Sequence, residues 1–230
     1  MPTPSLPGRR RLLLAAPWLV LGSLACRPAA SSAPSHSPIT YVAIGASDTV
    51  GIGAANPELE SWPAVLHGRL PAGSKLVNLG VSGSLLRQAI DQQLPVAVAS
   101  EPDLVTVWLA VNDYAARAPL EPYLTDLGTL LAELRSKTGA TILVGNVPDL
   151  SGIPAAGRFD LRFQDRWNAG IEATVRQHET TLVDLRATWR EVQDHPEYIS
   201  SDGFHPSTAG YRRLAEVFYG AAAPALGLPA

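Results

Sequence analysis

Eight residues, Leu104 to Val111, run Leu-Val-Thr-Val-Trp-Leu-Ala-Val and carry no charge. A β-branched run of this length, apolar on both alternating faces, predicts a central strand covered by structure on each side. A sheet with helices packed on both faces supplies that cover, and the remaining pattern of the chain argues for that α/β architecture.

The rest of the chain from Pro38 onward agrees. Ile39 to Ile44 is a short strand pattern that ends at a glycine, and Leu76–Leu79, Thr141–Val144 and Thr181–Leu185 repeat it. Between them the apolar positions change to helical spacing. Trp62, Val65, Leu66 and Leu70 share one face behind Ser61 as N-cap, and Leu86, Ile90 and Leu94 share another. Leu124, Leu127, Leu130, Leu131 and Leu134 form a third stripe. Phe163, Trp167, Ile171 and Val175 form a fourth, and Tyr211, Leu214, Ala215 and Phe218 close the chain. Strand and helix alternate over 39–230 with no internal repeat and no dividing linker. The expectation is one doubly wound domain: a five-stranded parallel sheet, flavodoxin-like, in a three-layer α/β/α sandwich.

The first 38 residues have another character. Arg9, Arg10 and Arg11 precede an apolar stretch from Leu12 to Leu24, with small residues at Ser23 and Ala25. This is the layout of a secretory leader over 1–25, and its apolar part is shorter than the roughly 20 residues a bilayer span requires. Gly8 to Leu13 also resembles a twin-arginine export signal. Cys26 follows the expected cut and opens a Pro/Ser/Ala-rich tether over 26–38, which resembles a bacterial lipoprotein, although Ser23 stands where that signal usually has Leu. Two outcomes stay open: a chain lipidated at Cys26 and tethered to a membrane, or a freely secreted one. Both imply export to the periplasm, the cell surface or the medium. Removing the leader takes away three of the 18 basic residues and none of the 21 acids, moving the net charge from −3 to about −6. An acidic chain whose only basic run lies in its leader offers little to nucleic acid. A single cysteine excludes an internal disulfide and any multi-cysteine metal site.

In a doubly wound sheet, ligands sit beyond the carboxyl ends of the strands. Four segments deliver polar residues there: Gly45-Ala46-Ser47-Asp48-Thr49, Gly80-Val81-Ser82-Gly83, Asn112-Asp113, and Asp202-Gly203-Phe204-His205-Pro206. Singly, each has an ordinary explanation as a cap, turn or surface pair. Together they hold what acyl transfer needs. Asp202 and His205 lack the further ligands a metal site requires, and no metal or cofactor is expected. Gly45, Gly51 and Gly53 do not cradle a phosphate, because Asn56 occupies the third-glycine position and no lysine follows. The nucleophile elbow of α/β-hydrolases is also absent, since Thr49 replaces its second glycine.

These blocks, with Asn78-Leu79 before Gly80 and Pro102 to Asp113 around Asn112, resemble those of SGNH/GDSL hydrolases in order and spacing. The resemblance covers nearly all of 39–220. Ala46 stands where the family has Asp, and Ala110 where it has Gly. The resemblance implies Ser47 as nucleophile, His205 as base and Asp202 as the acid that orients it. It also implies an oxyanion hole made by the N–H of Ser47, the N–H of Gly80 and the amide of Asn112. The expected activity is hydrolysis of carboxylic esters, with lipid, thioester, acetylated-sugar and small-ester substrates all open. The edge loops near 48–60, 112–122, 145–158 and 186–204 are rich in Pro, Gly, Ala and charge, which predicts an open cleft and short acyl groups. The competing expectation is an exported module of the same fold that binds a glycan or envelope polymer without turning it over.

Overall fold

The computed structural model describes residues 1–3 and 37–229. The leader beyond Thr3, Cys26 and the tether as far as His36 lie outside the described residues.

Strand β1 (Thr40–Gly45) is followed by three short helices, α1 (Ser47–Val50), α2 (Pro57–Glu60) and α3 (Trp62–His67). Then come β2 (Lys75–Asn78), α4 (Leu86–Gln92), α5 (Leu94–Ala99), β3 (Leu104–Trp108), α6 (Ala110–Ala115) and α7 (Leu120–Lys137). The chain continues through β4 (Thr141–Gly145), α8 (Gln164–Gln177), β5 (Thr181–Val183), α9 (Leu185–Thr188) and α10 (Thr208–Ala225). All five strands are parallel, in the order β2-β1-β3-β4-β5. The chain moves from β1 outward to β2, then returns to place β3 on the other side of β1. That reversal opens a crevice at the carboxyl ends of β1 and β3.

Every residue of β3 is buried, as its composition predicts. Its one polar side chain, Thr106, is satisfied by the hydroxyl of Tyr41 on β1 at 3.0 Å. Two groups of helices cover the sheet. α3 packs with α10, where Trp62 stacks on Phe218 at 4.2 Å and meets Trp108 edge-on at 6.2 Å. α7 packs with α4, α5 and α8 through Leu127, Leu130, Leu131 and Leu134, all fully buried.

Three expectations need correction. The strand over 104–111 stops at Trp108, and Ala110 and Val111 begin α6 instead. Pairing with β4 ends at Val107 and with β1 at Trp108, so the next N–H groups lack strand partners; that of Asn112 turns back to the carbonyl of Leu109. The helix through Leu94 divides at Gln93, because Pro95 cannot donate to the preceding turn. Phe163 is the N-cap of α8 and half exposed rather than part of its buried stripe. Ser61 does occupy the N-cap of α3, although its side chain makes no capping bond.

Candidate active site

Ser47 is the first residue of α1, directly beyond the end of β1, and is 5% exposed. Its position is set by packing. The side-chain amide of Gln93 grips the Gly45 backbone from both sides, accepting from its N–H at 2.9 Å and donating to its carbonyl at 3.0 Å. A Cβ on Gly45 would lie 1.9 Å from Thr49 Oγ1, so only glycine lets α1 fold back this tightly. The N–H groups of Thr49 and Val50 both donate to Ala46 O, while that of Ser47 has no acceptor among the described residues.

The second segment approaches from β2. The Asn78 amide donates to Thr49 O at 2.7 Å, and Asn78 Oδ1 accepts the Gly80 N–H at 3.0 Å. A Cβ on Gly80 would lie 2.9 Å from Val50 N and 3.1 Å from Ala46 O, so bare backbone is required there too. Gly80 thus sits against the Ser47 turn with its N–H held by Asn78. Asn112, the third residue of α6, donates one amide hydrogen to Ser84 O at 3.0 Å, and its other carries no bond among the described residues. Asp113 beside it accepts the Leu86 N–H at 2.9 Å, and burial raises its carboxyl to about 6.

Asp202 and His205 come from the loop before α10, which the hydrogen bond from Ser200 N to His205 O and the bridge between Ile199 and Pro206 hold closed. Gly203 turns inside it at φ +73°. His205 Nε2 lies 3.0 Å from Ser47 Oγ, and His205 Nδ1 lies 2.5 Å from Asp202 Oδ2. Asp202 Oδ1 accepts from Ser200 Oγ and from the N–H groups of Phe204 and His205, at 2.8–2.9 Å. Desolvation opposes ionisation of Asp202, but these bonds and the one from His205 outweigh it and hold its carboxyl far below the usual carboxylate range. Asp48, next to the serine, differs: burial raises it to about 6, the opposing pull of His205 notwithstanding, and Asp202 pushes it the same way.

The structure therefore brings Ser47, His205 and Asp202 into one unbroken line and sets Gly80 against the turn that carries the serine, while Asn112 is held by Ser84. Sequence reading missed Gln93 and Asp48. Pro95 was the available signal for Gln93, because a helix interrupted there marks a change of direction at the residues before it, and Gln93, buried at that junction, bonds to the Gly45 backbone. Among the described residues, no three His, Cys, Asp or Glu side chains are grouped so as to hold a metal ion.

A family model described as GDSL-like Lipase/Acylhydrolase matches residues 43–213. The chain belongs to this family. As a member it is a serine hydrolase that acts on ester bonds. An acetylxylan esterase of Geobacillus stearothermophilus is 25% identical over 157 residues, covering 64% of this chain and 71% of the relative. A crystal structure of an acetylxylan esterase from that organism superposes with a TM-score of 0.67 at 22% identity, covering 85% of this chain and 97% of the other. The lipase/acylhydrolase of Enterococcus faecalis superposes at 0.64 with 19% identity, over 79% of this chain and 94% of its own. At these identities the structural likeness speaks for the fold, and the parallel five-stranded sheet is the one the GDSL-like family shares with them.

Proposed function

We propose that this esterase cleaves short-chain carboxylic esters, acetyl esters of saccharides foremost, through an acyl-enzyme on Ser47. The observation that carries the proposal is the continuous line from Ser47 Oγ through both nitrogens of His205 to Asp202. Ser47 Oγ attacks the ester carbonyl carbon while its proton passes to His205 Nε2. Asp202 keeps Nδ1 protonated and stabilises the imidazolium that results. The carbonyl oxygen, now an oxyanion, takes the unclaimed N–H of Ser47 and the second amide hydrogen of Asn112. Gly80 joins them by exchanging Asn78 Oδ1 for the oxyanion. Loss of one such donor lowers kcat by about 10²–10³. The intermediate collapses as His205 returns the proton to the leaving alkoxide, freeing the alcohol. Water, deprotonated by the same nitrogen, then releases the carboxylic acid and restores Ser47.

Two features favour a small acyl group. The loops at this edge offer little apolar wall for a long chain: the cleft of about 350 Å³ along Asp202 and Gly203, next to the line rather than over Ser47, is lined by Pro154, Ala155, Gly157, Arg158 and Ser201. The relatives named above as acetylxylan esterases act, by that name, on acetyl groups carried by a saccharide. Fluorophosphonate labelling of Ser47 and a series of acyl esters test the proposal. Labelling is expected to vanish in Ser47→Ala, with kcat/KM best between acetyl and hexanoyl, each methylene adding well under ~0.8 kcal/mol. An unlabelled protein would instead fit a module that only binds; a steady rise to palmitoyl would overturn the open cleft alone.

The N-terminal segment adds a proposal of its own: export, with 1–25 removed and Cys26 either lipidated or free. Intact mass of the membrane-derived protein separates the two.

A further inference from the structure

Between the end of α6 and the turn Pro154–Arg158, a second cavity of about 490 Å³ is walled by Tyr114, Phe159, Phe163 and Trp167. Its volume lies within the range of small-molecule sites. Tyr114 and Trp167 meet edge-on at 5.5 Å, and Phe163 stands half exposed at the rim.

Three guanidinium groups line the same space, those of Arg117, Arg158 and Arg162. Asp160 engages Arg162 at 2.8 and 2.6 Å, and Arg117 stands near enough to add to the pull on its carboxylate. Arg117 and Arg158 make neither an ion pair nor a side-chain hydrogen bond among the described residues. In a chain whose net charge is −3, this cavity is left with an excess of about two positive charges.

Arg117 also keeps its place against the backbone's preference. It lies at φ +55°, where its N–H returns to Tyr114 O and that of Ala118 to Asp113 O. Helix ends of this form ordinarily carry glycine or asparagine.

The cavity adjoins the catalytic edge. Arg158 lines it and lines the cleft along Asp202 as well. Phe159 stacks on Phe204 at 5.7 Å, and Phe204 lies edge-on to His205 at 4.7 Å.

We infer that this cavity receives the alcohol portion of the ester, and that this portion is an acidic saccharide. Its ring packs on the aromatic wall, and its carboxylate is held by Arg117 and Arg158, whose planar forks suit that anion. The inference rests on the esterase function proposed above and names the substrate class for it. A glycerophosphate ester offers a comparable anion without a ring to stack, so the aromatic wall favours the saccharide.

The test compares kcat/KM for three acetyl esters: a neutral oligosaccharide, the same oligosaccharide carrying a uronate, and glycerophosphate. The uronate substrate is expected to exceed the neutral one by about tenfold or more, as a charge-assisted hydrogen bond allows. Raising the salt should narrow that ratio. Arg158→Ala and Arg117→Gly should each bring the ratio close to one. Arg117→Gly relieves the left-handed backbone, so an unchanged melting temperature separates lost recognition from lost folding. Equal rates on the neutral and uronate esters, or a glycerophosphate ester that outpaces the uronate, would overturn the inference. Hydrolysis of 4-nitrophenyl acetate, lost in Ser47→Ala, reports the esterase reading separately; its absence would remove both.

Discussion

The two ends of the line from Ser47 through His205 to Asp202 are held by opposite means. Ser47 is almost fully buried, in a turn where a methyl group on Gly45 or Gly80 would collide with neighbouring atoms and where Gln93 clamps the strand end. Asp202 is nearly half exposed and depends on directional bonds, three of them converging on one carboxylate oxygen. Close packing fixes a position tightly because overlap is costly within a few tenths of an ångström. A hydrogen-bonded loop tolerates adjustment, which suits the role proposed for His205, a base that serves the serine, the leaving alkoxide and water in turn. The proposed nucleophile is anchored and the proposed base is poised.

The largest effect should come from cutting the line itself. Ser47→Ala and His205→Ala are each expected to lower kcat/KM by about 10⁴–10⁶ with little change in melting temperature, and the double variant should be scarcely worse. Near-normal turnover in Ser47→Ala would dissolve the comparison.

On the packed side, Gly45→Ala should cost about 1–3 kcal/mol of stability, since Thr49 cannot retreat without moving α1. Chemical denaturation measures this, and activity should fall with it because Ser47 moves too. On the hydrogen-bonded side, Ser200→Ala removes one of the three bonds to Asp202 Oδ1. The expected loss is about fivefold in kcat, roughly the 1 kcal/mol of a single hydrogen bond, at an unchanged melting temperature. If the two variants behaved alike, both halves would be held the same way.

The smallest effect separates the halves by sign. Asp48, raised from 3.8 to about 6 by burial, binds its proton more tightly in the folded protein than in the unfolded chain. The stability it contributes is complete below about pH 4 and is lost as pH rises through 6. Asp202 is lowered, so its contribution is present above the unfolded value of 3.8 and lost as pH falls through its folded value. Melting temperatures should show Asp48→Asn gaining on the parent as pH rises from 4 to 7, and Asp202→Asn gaining on it as pH falls from about 4 to 2. Parallel curves would remove the electrostatic part of the contrast.

Much of this was legible beforehand because its signals are local. The run Leu104–Val107 announces a buried strand, the α7 leucines announce a helix, and both stand where expected. Ser47, Asp202 and His205 could be singled out because each sits in a short block beyond a strand end, and the roles proposed for them come from the resemblance of those blocks to SGNH/GDSL hydrolases. Gln93 was not, because its meaning lies in a contact with Gly45, 48 residues away, while its local surroundings read as an unbroken helix. Leu109–Val111 read as strand for the same reason: apolarity reports burial, and the end of pairing with β1 and β4 decides where the strand stops.

What the sequence determined by itself, then, is the alternation of elements and the residue types delivered to one edge of a sheet, since periodicity and turn chemistry act over a few residues. The tertiary structure alone decided that a histidine 158 positions from the serine reaches it at 3.0 Å, and that the Asn78 amide, 29 positions from Thr49, donates to its carbonyl at 2.7 Å. It also decided that Arg117 and Arg158 line one aromatic cavity. Each of these is a distance between segments remote along the chain, set by how the layers pack and by nothing within either segment.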